Sequence, residues 1–144
     1  MAIAGGLEAA LGRLGEALGE REVAHAASLR ASRDRAFELY ERVAGALEHY
    51  HAAIEAAGAP HLCVELTPPR LDEKHVRSYE FDLRRGRHRG LFVLKSRGEL
   101  TLVGPYRTGK TEGPCRSFPI EADAEIESAL VEFVSSFLEE AATP

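Results

Sequence analysis

Leucines at positions 7, 11, 14 and 18 step by four, three and four. From Leu29 similar steps run through Arg33, Ala36, Tyr40, Val43, Leu47, Tyr50 and Ile54. Apolar residues at this spacing share one side of an α-helix, and the alternation of fours and threes is that of a coiled-coil seam. Residues 7–57 contain no proline and are rich in alanine, leucine, glutamate and arginine, all good helix formers. The pattern predicts a helical region over 7–57, either one long helix or a helical hairpin hinged at Gly19. In a seven-residue frame the two runs are out of phase by one residue. Gly58-Ala59-Pro60 ends the region, because glycine takes the left-handed cap conformation and proline cannot continue a helix. A single helix of this length measures roughly 75 Å at 1.5 Å per residue, too long for a compact domain, so it must fold back or project.

After Pro60 the period changes to two. Leu62, Val64 and Leu66 alternate with His61, Cys63 and Glu65, predicting an edge strand that Pro68-Pro69 terminates. From Val76 to Val103, Tyr79, Phe81 and Leu83 alternate with Ser78, Glu80, Asp82 and Arg84; the apolar runs Leu91–Leu94 and Leu100–Val103 follow, separated by Arg97-Gly98. A short fifth strand fits Cys115–Phe118. The last stretch places Ile126, Leu130, Phe133, Val134, Phe137, Leu138 and Ala141 on one helical stripe behind the acidic turn of Glu121, Asp123 and Glu125. The expected fold is a single α+β domain over 1–144: helical over 7–57, an antiparallel meander of four or five strands within 61–119, and an amphipathic C-terminal helix over 121–142 packed on the sheet. Strands at 91–94 and 100–103 are apolar on both faces, which predicts cover on the second face, by the N-terminal helical region or by another subunit.

Charge divides along the chain. Residues 1–57 carry 6 basic and 9 acidic side chains, residues 58–119 carry 12 and 7, and residues 120–144 carry 0 and 7. The sheet region is therefore net positive between acidic flanks. If the strands pair in sequence order, the connection at 84–90 and the one at 104–114 leave the same end of the sheet. Arg84, Arg85, Arg87, Arg89, Arg107 and Lys110 then gather there as a candidate anion-binding surface for phosphate, nucleic acid or an acidic protein segment, with Tyr106 as a stacking group.

Gly104-Pro105-Tyr106-Arg107-Thr108-Gly109-Lys110-Thr111 satisfies the phosphate-loop pattern GxxxxGK[ST] in its letters. Its context does not: Gly113-Pro114 stands where a helix must begin, and Pro105 removes a backbone donor from the cradle. Neither the six histidines nor the two cysteines adopt a metal-ligand spacing, so no metal or cofactor is expected. Cys63 and Cys115, in strand-like surroundings, are expected as small buried hydrophobes. No nucleophile, base and acid constellation has local support, and the sequence nominates no active site. Without an apolar run near 18 residues, a soluble cytoplasmic chain that does not enter membranes is expected. The functional expectation is a non-enzymatic interaction or scaffolding module that forms a homodimer through its helices. The alternative is an anion-binding domain using the basic loops, and an enzyme with an unrecognised site comes third.

Overall fold

The computed structural model describes residues 5–74, 77–109 and 113–142. Helix α1 runs unbroken over Gly6–Ala56, 51 residues, so the hinge at Gly19 does not form. Its end is the predicted one. Gly58 takes φ +79°, and the amides of Ala57 and Ala59 return to the carbonyls of Ala53 and Ile54.

Where the alternation of Leu62, Val64 and Leu66 predicted a strand over 61–66, a 3-10 turn at Pro60–Leu62 stands instead, and only β1, Glu65–Leu66, pairs. The end of α1 diverts this segment from a ladder. Tyr50 Oη donates to the Leu62 carbonyl at 2.8 Å, and the Val64 amide donates to His51 Nε2 at 3.1 Å. There follow β2 (Arg70–Leu71), β3 (Ser78–Arg85), β4 (His88–Lys95), β5 (Glu99–Arg107), β6 (Cys115–Pro119) and α2 (Asp123–Ala142). Among the described residues these six strands form one antiparallel sheet in the order β1-β3-β4-β5-β6, with β2 on the same edge of β3 as β1. The fold is α+β, as its periodicities predict.

Both helices lie on one face of the sheet. A ladder of rings records this: Tyr40 meets Phe81 edge-on at 5.8 Å, Phe81 stacks on Phe92 at 4.3 Å, and Phe92 meets Phe133 edge-on at 5.1 Å. Thus α1 sits over β3 and β4 while α2 sits over β4 and β5, and Arg35 bridges to Asp123 at 2.7 Å, Arg42 to Glu127. Phe81, Phe92 and Phe137 are fully buried, each worth roughly 2–3 kcal/mol of apolar transfer. The close approach of α2 depends on Gly90, where an added Cβ would stand 3.1 Å from Phe133 Cζ and 3.4 Å from Phe137 Cδ2.

Among the described residues no helix covers the second face, where Asp82 and Thr101 are buried but Leu91, Val93 and Val103 are only half-buried. Across that face the register gives rows in which Asp82, Leu91 and Val103, then Glu80, Val93 and Thr101, stand side by side. Its half-buried aliphatics are thus set among charged and hydroxyl side chains, a composition an antiparallel sheet can turn to solvent.

Candidate functional site

Among the described residues, the first half of α1 is a helical stretch that no other element covers. Residues 6–24 are exposed throughout, and the buried positions of the helix begin at Ser32 and continue through Ala36, Leu39, Val43 and Leu47. From Ala36 to Tyr50 the run that resembles a coiled-coil seam is therefore taken up within the same chain, by the sheet and by the turn that follows α1. Leu7, Leu11, Leu14 and Leu18 remain 67, 56, 48 and 49% exposed.

Their direction follows from helix geometry. Thirty-six residues make ten whole turns at 3.6 residues per turn. Leu7 therefore shares its azimuth with Val43, Leu11 with Leu47, Leu14 with Tyr50, and Leu18 with Ile54. The one-residue phase difference of the seven-residue frame vanishes in a straight helix, and the exposed leucines prolong the line that rests on the sheet. At the root of this overhang an open groove of about 1100 Å³ lies between α1 and the end of the sheet, lined among others by Glu22, His25, Leu29, Arg77, Lys95 and Arg97. The sequence reading missed this groove, although the thirty-six-residue spacing carries the signal for the shared line.

At the other end of the sheet the two basic connections do meet. The Thr108 amide donates to the Arg87 carbonyl at 2.8 Å, and His88 pairs with Arg107, Arg89 with Tyr106. The first connection is tighter than expected, a two-residue turn of Gly86 and Arg87, so Arg84, Arg85 and Arg89 are strand residues. Arg85 turns to the helical side, donating to the Ala141 carbonyl at the end of α2 and to the His61 carbonyl at 3.2 Å. Arg89 donates to the Gly86 and His88 carbonyls at 2.8 and 2.9 Å. Arg84 Nε donates to Asp82 Oδ2 at 2.5 Å. Arg87 and Arg107 close the sheet end, and Lys110 lies outside the described residues.

Asp82 is the most deeply buried charge of the sheet, 4% exposed. Its Oδ1 accepts from Thr67 Oγ1 at 2.6 Å and from Arg70 at 2.8 Å. Burial by itself raises the Asp82 pKa, but the hydrogen bonds from Arg84, Thr67 and Arg70 outweigh it and hold the carboxyl below the usual carboxylate range. This network ties the segment around Pro68-Pro69 to β3, and it gives each carboxylate oxygen at least one donor.

Of the phosphate-loop letters, Gly104–Arg107 belongs to β5, Lys110 and Thr111 lie outside the described residues, and the next described element is strand β6 where that motif needs a helix. Gly104 instead forms a bulge opposite Gly90, with φ +108° and its amide donating to the Pro114 carbonyl at 2.8 Å. Cys63 and Cys115 are both exposed rather than buried, one following the 3-10 turn and the other on the uncovered edge strand. Among the described residues no group of three histidine, cysteine or acidic side chains is placed to hold a metal ion, and no helix is long and apolar enough to cross a membrane. Comparison of the chain with protein-family models, with curated proteins and with solved structures gives no significant match.

Proposed function

We propose that this chain is a non-enzymatic interaction module that self-associates through the overhanging half of α1. The observation that carries this reading is the stripe of four leucines, each about half exposed, on the half of α1 that the rest of the described molecule leaves bare. The occupant is a second copy rather than a lipid surface. Residues 6–24 carry Glu8, Glu16, Glu20 and Glu22 against Arg13 and Arg21, a net negative balance, whereas interfacial helices are rich in lysine and arginine.

The expected strength follows from the exposure. Burying half of a leucine side chain contributes roughly 1 to 1.5 kcal/mol, so the eight leucines of a pair contribute about 10 kcal/mol. Against an association cost of about 4–5 kcal/mol at the low end, the balance corresponds to a dissociation constant on the order of 100 µM. Light scattering between 10 and 500 µM tests this. The mass should climb from 15.7 kDa toward twice that value, and the doubly substituted Leu11→Glu, Leu14→Glu chain should stay monomeric with its sheet intact. A wild-type mass that does not rise across the series would refute the reading.

A second reading is capture of an anion by Arg87 and Arg107, favoured by the Thr108–Arg87 hydrogen bond that joins their two loops. It needs no self-association, and the two readings are independent.

A further inference from the structure

We infer that two copies pair their overhanging helices antiparallel, with Leu7 against Leu18 and Leu11 against Leu14 across the pair, so that each α1 begins beside the groove at the root of the other. This rests on the self-association reading above and specifies its geometry. The decisive fact is that the exposed leucines and the sheet-covered residues occupy one line of the helix, ten turns apart. Two helices packed face to face along that line in parallel would each drive residues 29–54 into the place the partner's sheet already fills. Reversing one helix removes the conflict, because each sheet then lies beyond the other's overhang.

The sequence of the overhang accepts this arrangement. Pairing 7 with 18 and 11 with 14 puts the twofold axis between residues 12 and 13, and all eight leucines meet leucines. Ala10 and Ala17 flank the stripe on one side; Gly15 and Glu8 flank it on the other. Arg13, Glu16 and Glu20 point away, at more than 100° from the leucine line at 100° per residue. No two like charges are opposed in the overlap. In the same register Gly5 of one helix arrives level with residue 20 of the other, about half a turn short of the groove that starts at Glu22. Among the described residues α1 has no side-chain cap at its first turn, and the partner's Arg21 and Glu22, each about 50° from the leucine line on opposite sides, are the charged residues that come nearest to those amides.

Nitroxide distances separate the two orientations. The labels go at Arg30, or at Ala27, in a chain with Cys63→Ser and Cys115→Ser; all four positions are exposed. At 1.5 Å per residue from the twofold axis, antiparallel pairing sets the Arg30→Cys labels roughly 50 Å apart and the Ala27→Cys labels roughly 45 Å apart, a difference of about 9 Å for three residues. Parallel pairing gives roughly 10–20 Å at both positions, with no growth between them. At 500 µM, the long distances with their increment support the antiparallel pair. A dimer by mass with short distances at both labels overturns the orientation and leaves self-association standing, and a monomer by mass overturns both.

Discussion

Leu11 and Leu47 offer a controlled comparison, since they are the same residue on the same line of one helix, ten turns apart, with exposures of 56% and 4%. Leu47→Ala removes a side chain from the interface between α1 and the sheet and leaves a cavity, which costs about 3 kcal/mol within the 2–5 kcal/mol range of such truncations. For a domain of this length that is roughly a 10 °C fall in Tm. Leu11→Ala opens no cavity in the single chain and replaces leucine with a slightly better helix former, so its effect at 5 µM should lie within about 0.5 kcal/mol of zero. At several hundred micromolar the ranking changes. In the proposed pair Leu11→Ala would remove two of the eight interface leucines, about 2–3 kcal/mol, and should weaken association roughly 30- to 150-fold. Urea unfolding followed by circular dichroism at 5 µM supplies the first pair of numbers, and light scattering at high concentration the second. A loss above about 1.5 kcal/mol for Leu11→Ala at 5 µM would mean that the overhang is buried within the single chain, and a loss below about 1 kcal/mol for Leu47→Ala would mean that the second half of α1 does not rest on the sheet; either result refutes the reasoning.

The Asp82 network predicts acid sensitivity with a definite sign. The folded-state pKa is depressed, so its stabilisation is complete well above the unfolded carboxylate pKa of about 3.9 and is lost as pH falls through the folded value. Asp82→Asn should therefore be less stable than wild type at pH 7 and show a shallower decline below pH 4, and parallel stability–pH curves for the two chains would count against it. Gly90→Val should cost about 1–3 kcal/mol, because its Cβ alone would stand 3.1 Å from the Phe133 ring; an unchanged urea midpoint would show that α2 packs less closely on β4. For the anion reading, heparin binding at low salt should weaken several-fold in Arg87→Glu, Arg107→Glu and disappear at moderate salt, and an affinity indifferent to that double substitution would remove the reading.

Much of the fold is legible because its periods are clean. Gly58-Ala59-Pro60 marks the end of α1, Tyr79, Phe81 and Leu83 mark the helix-covered side of β3, and Phe133 and Phe137 mark the inner side of α2. The misreadings share a cause, which is that local spacing does not say what a face meets. Leu62, Val64 and Leu66 alternate like a strand, yet Tyr50 and His51 on α1 claim the backbone of that segment. Phe92 and Leu94 are covered by helices while Leu91 and Val93 are not, although all four are equally apolar; tertiary placement of two helices on one face decides it. Among the arginines proposed for the anion surface, Arg84, Arg85 and Arg89 look alike in sequence, but strand alternation sends Arg85 to the end of α2 and Arg84 to Asp82.

The continuity of the α1 line explains why the overhang holds a helix despite Gly12, Gly15 and Gly19, each unfavourable by up to about 1 kcal/mol relative to alanine. Helix formation is limited by its nucleus, and residues 29–54 supply one already fixed on the sheet, so the overhang needs only propagation. Gly12 and Gly19 point away from the leucine line and Gly15 only flanks it, so they lower the stability of the free helix without replacing any residue of the leucine stripe. In the proposed pair, association and helical order in residues 6–24 would reinforce each other. Part of the burial gained on such pairing would go into ordering the glycine-bearing turns, which would keep a leucine stripe of this length in the range of reversible, concentration-dependent assembly.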